Sequence, residues 1–237
     1  MSNKTTATNA ATSDARFCGK TIIVTGAGGN FGREGCLYFA RRGANVAAMD
    51  NNESALNETL GEVVDAGCAV KIRGYACDVT DPESVEKTVE SISIDFDGRI
   101  DMLWNNAGYQ GQIIPTLEYD PADFARVMNI NVTGMFIVLQ SVARRMATQA
   151  SAGRTDVSHP FSIVNTASVA ALRGTPAMVA YASSKAAILA MTVCTAKVRE
   201  ELLSFVIRDS RFSLRLYLYH YSIAMNGAGF GAAWNKS

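Results

Sequence analysis

Three side chains suited to proton transfer follow the spacing Ser-x12-Tyr-x3-Lys. Tyr181 and Lys185 are four residues apart, so a helix would place them one turn apart on the same face. A free phenol titrates at about pH 10. A neighbouring ammonium is expected to lower the pKa of Tyr181 and make it a usable proton acceptor or donor. Ser168 could hydrogen-bond an oxygen on which charge develops. The spacing therefore indicates acid–base chemistry at a substrate oxygen.

The elements that must position these residues alternate along the chain between short apolar runs and helical stretches. The sequence predicts strands at Thr21–Thr25, Asn45–Met49, Ala69–Ala76, Arg99–Trp104 and Phe161–Thr166, and helices at Arg33–Arg42, Ser54–Ala66, from Asp81-Pro82-Glu83 onward, Pro121–Ala147 and Pro176–Lys197. Such alternation predicts an α/β fold, a doubly wound parallel sheet with helices on both faces. Ligands bind such a sheet at the carboxyl ends of its strands.

A glycine-rich turn, TGAGGNFG, separates the first predicted strand from the first helix. Gly26, Gly28 and Gly32 would let the backbone turn sharply and approach a pyrophosphate. The free N–H groups of the following helix N-terminus would bind its charge. Asn30 and Phe31 complete the turn, and asparagine is one of the few non-glycine residues that tolerate a positive φ. The turn therefore predicts a dinucleotide site.

Acidic residues end the second and third predicted strands. A carboxylate at Asp50 could accept both hydroxyls of an adenosine ribose and would repel a 2′-phosphate. The residues after it, Asn51 and Asn52, are not basic, so the sequence favours NAD over NADP. The alternative is a solvated aspartate at a helix start. Asp78 and Val79 would lie beside the adenine ring, and the alternative there is that Asp78 caps the next helix.

These motifs resemble those of the short-chain dehydrogenase/reductase family over roughly residues 17–197. The resemblance rests on the Ser-Tyr-Lys spacing, the Thr-Gly-x3-Gly-x-Gly turn with Asn30 at its second glycine, Asp78-Val79, the turn Asn105-Asn106-Ala107-Gly108, and Asn131 within INVTG. It implies a Rossmann-like fold with NAD as cofactor. The residues that it implies hold the cofactor are Gly26, Gly28, Asn30, Phe31, Gly32, Asp50, Asp78, Val79, Asn106, Ala107, Gly108, Tyr181 and Lys185.

The resemblance also implies a reaction, the reversible oxidation of a secondary alcohol or polyol to a ketone. Hydride transfer from an alcohol carbon requires loss of the hydroxyl proton, and Tyr181 would be the base. Lys185 would also hold the nicotinamide ribose, and Ser168 would hydrogen-bond the substrate oxygen. Asn131 would hold a water molecule that links Lys185 to solvent as a proton relay.

Two segments narrow the resemblance within the family. NNAGYQG, starting at Asn105, and INVTGMF, starting at Ile130, are similar to those of xylitol-dehydrogenase-like polyol and diol oxidoreductases. Tyr109, Gln110 and Met178 are the candidate substrate-facing residues by position. A sugar-nucleotide epimerase also uses Tyr-x3-Lys, but the turn after Asn105 and the short chain argue against it.

Composition excludes several other classes of protein. The 237 residues carry 22 basic and 22 acidic side chains, so the excess positive charge that drives nucleic-acid binding is missing. Five cysteines without a CxxC pair predict buried reduced thiols in a cytoplasmic protein and no metal site. Residues 1–16 have no apolar targeting core and are predicted to be a disordered arm. We expect no membrane span, and a single domain over residues 17–237.

The pattern changes after Lys197. The family's last strands and its Pro-Gly loop have no counterpart, because the last proline is Pro176. The segment Phe212–Met225 alternates like a strand. We therefore expect an atypical tail over residues 198–237, incomplete C-terminal strands, and a fifth strand left as an apolar edge. The alternative function is a truncated or mis-framed member that is inactive and binds only cofactor or partner subunits.

The family resemblance implies self-association. Family members usually associate through two long helices, which correspond here to Pro121–Ala147 and Pro176–Lys197. A homodimer or homotetramer is therefore expected. A small-molecule alcohol, polyol or ketone is the other expected partner.

Overall fold

Strands and helices alternate along the chain in the computed structural model, which describes residues 16–154 and 161–202. The strands are β1 (Thr21–Thr25), β2 (Asn45–Asp50), β3 (Ile72–Ala76), β4 (Met102–Asn105) and β5 (Ser162–Asn165). The helices are α1 (Asn30–Ala40), α2 (Glu53–Asp65), α3 (Pro82–Asp95), α4 (Pro121–Met128), α5 (Met135–Ser151), α6 (Ala170–Arg173) and α7 (Val179–Leu202). A 3-10 turn covers Thr116–Glu118 and a π-helical turn covers Asn129–Gly134.

The five strands form one parallel sheet in the order β3-β2-β1-β4-β5. Every residue of β1 is buried, as expected for a strand covered on both faces. Ile23 packs with side chains of α3 and α5, whereas Ile22 and Val24 pack with side chains of α1 and α2. Successive side chains of a strand point to opposite faces, so the helices cover both faces. The predicted doubly wound parallel sheet is confirmed.

The ends of the chain lie outside the described residues. The predicted N-terminal arm lies outside them except for Arg16, and the predicted atypical tail lies outside them from residue 203 onward. The expectation for the family's last strands falls on that part and stays a prediction. Within the described residues, β5 pairs with β4 on one side and stands at an edge of the sheet.

The predicted long helix at Pro121–Ala147 is interrupted. Between α4 and α5, residues Asn129–Gly134 form a π-helical turn, in which the backbone hydrogen bonds skip one residue more than in an α-helix. Its buried residues are Asn131 and Gly134. A Cβ on Gly134 would lie 2.9 Å from Cγ2 of Val79, so the wide turn fits closely against the chain that follows β3.

Other predicted boundaries shift by a few residues. The helix α1 begins at Asn30 rather than Arg33, and β3 begins at Ile72 rather than Ala69. The helix α7 begins at Val179 rather than Pro176, because Ala177 has a positive φ of 64° that no α-helix accommodates. Asp81 is the N-cap of α3, with Pro82 in the first turn, as predicted.

Two helical stretches are longer and more apolar than expected from the sequence, and the expectation of no membrane span stays a prediction. Residues 121–151 and 179–196 are long and apolar enough to cross a bilayer by length and composition alone. Core helices of globular proteins pass the same test, so one or two such helices are weak evidence of a membrane protein. The helix α5 buries Val138, Val142 and Met146 in the core cluster that also contains side chains of the sheet.

The five cysteines are all free. Cys36 and Cys77 are buried, and burial raises the pKa of Cys36 to about 12. Cys18 and Cys194 are exposed and Cys68 is half-buried. The expectation of buried thiols is therefore right for two positions and wrong for the two exposed ones.

Candidate active site at the carboxyl ends of the strands

The glycine-rich turn is packed so closely that several of its positions exclude a side chain. A Cβ on Gly32 would lie 2.0 Å from the carbonyl oxygen of Gly26, and a Cβ on Gly28 would lie 2.8 Å from Cβ of Ala55. Gly26 has a positive φ of 66°, and a Cβ there would lie 2.9 Å from Cα of Ala107. The turn is thus a cradle of bare backbone at the N-terminus of α1, the geometry that a pyrophosphate requires.

Asn30 occupies its place for a simpler reason than expected. It is the first residue of α1, and it is not among the non-glycine residues with positive φ in the described chain. Its tolerance of a positive φ is therefore not needed. The neighbouring Phe31 is half-exposed at 43%. The N–H groups of a first helical turn have no acceptor within the helix, so those of Asn30, Phe31 and Gly32 suit an anionic ligand.

Replacing Gly32 by alanine is expected to disable this cradle. The added Cβ meets backbone at 2.0 Å, so the turn must move, which costs about 1–3 kcal/mol of unfolding free energy. We expect a lower melting temperature and weaker NADH binding, measured by thermal melting and fluorescence titration. Gly29→Ala is the matched control, because Gly29 has φ −79° and its Cβ would meet only one atom, at 3.4 Å. If Gly32→Ala and Gly29→Ala bind NADH with equal affinity, the close packing of Gly32 is not required for cofactor binding.

Asp50 braces the turn from the end of β2. Its Oδ2 accepts the N–H of Gly28 at 2.8 Å, and its Oδ1 accepts the N–H of Asn52 at 2.9 Å. Asn52, not Asp50, is the N-cap of α2. The alternative that Asp50 merely starts a helix therefore fails. The carboxylate therefore lies directly beside the glycine-rich turn.

Asp78 forms a local turn at the end of β3. Its Oδ1 accepts both the N–H and the hydroxyl of Thr80 at 2.8 Å. The cap of α3 is Asp81, so the alternative that Asp78 caps that helix is wrong. Val79 contacts the π-helical turn through Gly134, and this contact joins the predicted adenine side of the site to the helix that carries Asn131.

The turn after β4 is anchored on Thr25. The Thr25 hydroxyl accepts the N–H groups of Asn106 and Ala107 at 2.8 and 2.9 Å and donates to Oδ1 of Asn105 at 3.3 Å. This turn therefore lies directly against the glycine-rich turn. A Cβ on Gly108 would lie 3.3 Å from Oδ1 of Asn131 and 3.6 Å from Nζ of Lys185. The structure thus brings Gly108, Asn131 and Lys185 together.

Lys185 is a buried ammonium at the centre of the site. The residue is 3% exposed, and its Nζ donates to the carbonyl oxygen of Thr166 at 2.7 Å. Burial lowers the pKa of Lys185 to about 8. Its Nζ also lies 5.6 Å from the ring centroid of Tyr181. The predicted helical pair therefore shares one face of α7, with the positive charge near the phenol ring.

Asn131 connects three elements of the site. Its Oδ1 accepts the N–H of Tyr109 at 2.7 Å, and its Nδ2 donates to the carbonyl oxygen of Tyr109 and to Oγ of Ser184, both at 2.9 Å. Ser184 in turn donates to the carbonyl oxygen of Tyr181 at 2.7 Å. These hydrogen bonds fix the positions of three elements relative to one another: the π-helical turn, the segment after β4, and α7.

Ser168 lies between β5 and α6 and is 9% exposed. Its Oγ accepts the N–H of Ala170 at 3.2 Å. This contact leaves the hydroxyl hydrogen available for a substrate oxygen. Of the candidate substrate-facing residues, Tyr109 and Met178 are half-buried and Gln110 is exposed.

Sequence reasoning missed a buried polar ladder across the strand ends. Nδ2 of Asn105 donates to Oδ1 of Asn165 at 3.2 Å and to the carbonyl oxygen of Met135 at 2.8 Å. Nδ2 of Asn165 donates to Oγ1 of Thr192 at 3.0 Å. Buried amides need such partners, so the ladder fixes α7 and α5 against the sheet. The only signal in the sequence was that Asn105 and Asn165 both end apolar runs.

The comparison with protein families decides what this arrangement is. A family model described as short chain dehydrogenase matches residues 20–204, which include every candidate site residue. The chain belongs to the short-chain dehydrogenase family. The family prediction is thereby confirmed.

Named relatives of this short-chain dehydrogenase are oxidoreductases. It is 32% identical over 187 residues to levodione reductase of Leifsonia aquatica, covering 79% of this chain and 66% of that protein. It is 34% identical over 177 residues to sorbitol dehydrogenase of Cereibacter sphaeroides, covering 75% of this chain and 63% of that protein. The chain thus spans about two thirds of the length of these curated relatives.

Solved structures extend the comparison to the fold. The crystal structure of NAD+-bound xylitol dehydrogenase is 41% identical and superposes with a TM-score of 0.75, covering 91% of this chain and 74% of that one. The predicted similarity to polyol dehydrogenases is therefore confirmed.

Proposed function

We propose that this short-chain dehydrogenase is an NAD-dependent oxidoreductase that interconverts a secondary alcohol, of polyol type, and a ketone. The observation that carries the proposal is the Tyr181–Lys185 pair on one face of α7, beside a cradle suited to a dinucleotide. The relatives named as sorbitol and xylitol dehydrogenases support the polyol class. They give no support to the alternative of an inactive member.

The site residues divide the proton chemistry between them. Ser168 donates a hydrogen bond to the substrate oxygen, and Tyr181 removes its proton in oxidation or returns one in reduction. The buried Lys185 ammonium favours the anionic form of the phenol. Asn131 holds the segment after β4 next to Lys185 and positions a water through which the proton leaves. NAD, when bound, would supply the acceptor for the hydride of the alcohol carbon.

The cofactor would be held by the residues predicted for it. The bare backbone of Gly26, Gly28 and Gly32 suits the pyrophosphate, and the Asp50 carboxylate suits the ribose hydroxyls. A solved relative with 28% identity is a complex with NAD, and it covers 86% of this chain with a TM-score of 0.72. Its name supports NAD as the cofactor here.

Replacing Asp50 by serine is expected to weaken the preference for NAD over NADP. The variant loses a charged acceptor for the ribose, which is expected to raise KM for NAD by about 10- to 100-fold, and it no longer repels a 2′-phosphate. The measurement is kcat/KM with NAD and with NADP. Asp65→Ser is the matched control, because Asp65 is an exposed carboxylate at the end of α2. An unchanged NAD-to-NADP ratio would count against the role of Asp50.

The activity itself is tested on the full purified chain. NADH formation is followed with sorbitol, xylitol, threitol and simple secondary alcohols, and NADH consumption with the matching ketoses. We expect turnover with at least one polyol, and none when NAD is left out. Absence of turnover together with measurable NADH binding would favour the inactive, cofactor-binding alternative.

We further propose that the chain forms a homodimer or homotetramer in the cytoplasm. The proposal rests on the family resemblance, and the two helices through which family members associate each carry an exposed apolar side chain, Phe136 on α5 and Val193 on α7. The free cysteines support a reducing compartment. Light scattering on the purified chain measures the mass in solution, and a monomer at all concentrations would reject the oligomer.

A further inference from the structure

A buried carboxylate on α4 accepts several hydrogen bonds from the segment that follows β4. Asp123 is 8% exposed and accepts three hydrogen bonds. Its Oδ1 accepts the hydroxyl of Tyr109 at 3.1 Å, and its Oδ2 accepts the hydroxyl of Tyr119 at 2.7 Å and the N–H of Gln112 at 2.9 Å. We refer to these four residues as the Asp123 cluster. Its two tyrosine hydroxyls and one main-chain N–H all point to a single carboxylate.

The protonation states within the cluster suit its hydrogen bonds at neutral pH. The hydrogen bonds from Tyr119 and Gln112 lower the pKa of Asp123. Desolvation and the hydrogen bond to Asp123 raise the pKa of Tyr119 to about 12. The hydrogen bond to Asp123 also raises the pKa of Tyr109. The carboxylate is therefore ionised while both phenols keep the protons that they donate, and hydrogen bonds of this charged kind are the stronger ones.

The segment lies directly on the cluster. Gly111 has a positive φ of 74°, and a Cβ there would lie 2.5 Å from both the Tyr119 hydroxyl and Cγ2 of Val127. Further along, the N–H of Ile114 donates to the carbonyl oxygen of Ala177 at 3.0 Å, just before α7. The segment is therefore fixed by the Asp123 cluster at one end and by the approach to α7 at the other.

Tyr109 links the cluster to the catalytic side of the site. Its side chain is held by Asp123, whereas its main-chain N–H and carbonyl oxygen hold both ends of the Asn131 amide. The Arg126 guanidinium lies over its ring, 4.7 Å from the centroid, and this contact further restricts the ring. A displacement of Tyr109 would therefore reach Asn131 directly.

We propose that Asp123 is a positioning residue of this site. Its carboxylate fixes the segment Tyr109–Gln112, so that the main chain of Tyr109 holds Asn131 and the segment presents a fixed surface to a polyol. Asp123 itself touches neither cofactor nor substrate in this assignment. The inference rests on the proposed function, because it assigns a role in the same site.

The test compares Asp123→Asn with the parent chain. The carboxamide keeps the shape of the side chain but places an NH2 donor where one of the phenols or the Gln112 N–H also donates. We expect kcat/KM for the best polyol to fall by about 10- to 100-fold, mainly through KM. NADH affinity is expected to stay within about twofold, because the cradle lies elsewhere. Hydrogen exchange of the 109–114 amides is expected to become faster.

Asp120→Asn is the matched control. Asp120 is the exposed N-cap of the same helix and accepts the N–H of Ala122 at 2.9 Å, so the same chemical change there should alter none of these measurements. If Asp123→Asn fails to fold, Tyr119→Phe removes one hydroxyl from the cluster at a residue outside the candidate substrate-facing set and should change KM in the same direction.

The outcomes separate this inference from the proposed function. If the parent turns over no polyol, the proposed function fails, and hydrogen exchange still tests whether Asp123 fixes the segment. Parent-like KM and parent-like exchange in Asp123→Asn would overturn the positioning role. An equal loss of NADH affinity and polyol turnover would overturn it too, because that result indicates general damage to the fold.

Discussion

Tyr181→Phe is expected to reduce NAD about 10²–10⁴-fold more slowly than the parent. This factor is the usual contribution of a general acid–base group. The substitution removes one oxygen and keeps the ring that lies 5.6 Å from Nζ of Lys185. The main-chain carbonyl that accepts the Ser184 hydroxyl is also kept. The fold and the cofactor cradle should therefore be unchanged, and the loss should fall on the chemical step.

Two measurements on the same preparation check this result. NADH fluorescence titration should give the parent affinity, and NADH formation with the best polyol should give the loss. Tyr38→Phe is the matched control, because Tyr38 is a half-buried tyrosine on α1 that stacks under Arg42 and should keep full activity. Turnover of Tyr181→Phe near the parent value would remove Tyr181 from the proposed chemistry.

Lys185→Met is expected to abolish activity and to make the protein more stable at neutral pH. The charge is buried, and burial lowers its pKa from 10.5 to about 8. At pH 7 the folded state bears the cost of holding a desolvated ammonium. That cost is about 2–3 kcal/mol, reduced by the hydrogen bond to the Thr166 carbonyl. Methionine fills a similar volume without the charge.

The sign of the pH dependence follows from the two pKa values. Between about pH 8 and pH 10.5 the unfolded chain binds more protons at Lys185 than the folded chain. The unfolding free energy of the parent should therefore rise with pH across this window. Lys185→Met has no titrating group at position 185. The unfolding free energy that it gains over the parent should therefore be largest at pH 7 and should shrink as the pH rises to 10.

Urea unfolding of both proteins at several pH values measures this difference. Lys87→Met is the matched control, because the Lys87 side chain is 73% exposed and pairs with Glu83 on the surface of α3. It should neither stabilise the protein nor change the pH profile. Parallel profiles for the parent and Lys185→Met would show that the buried lysine carries no such cost.

The parts of the site that are local in sequence could be predicted. Tyr181 and Lys185 belong to one helix, and the glycine-rich turn and Asp50 are marked by their place at strand ends. Helical periodicity and strand patterning are short-range signals. They were sufficient for the order of the elements and for the parallel sheet.

The contacts that join distant parts of the chain could not be predicted. Asn131 and Ser184 are 53 residues apart, and Thr25 and Asn106 are 81 residues apart. Asp123 gave no signal, because an aspartate in the first turn of a helix usually marks its N-terminus. Its burial depends on Tyr109 and Tyr119 folding back over it. The π-helical turn was missed because it lies inside one long helical stretch and contains no proline that would mark a break.

The wide turn between α4 and α5 determines which kinds of sequence change this helix can tolerate. Each residue of an α-helix advances the chain by about 100° around the axis. Within Asn129–Gly134 the wider turn takes up one residue more than an α-helical turn. Loss of one residue there would restore a regular helix with α4 and α5 still in phase, but it would displace Asn131 from its partners. A residue gained or lost between Asp123 and the wide turn would instead rotate α4 relative to α5 by about 100°, and Asp123 and Asn131 could then no longer both meet Tyr109. The helix should therefore tolerate many exchanges of side chain, whereas a change in residue number should disrupt the site.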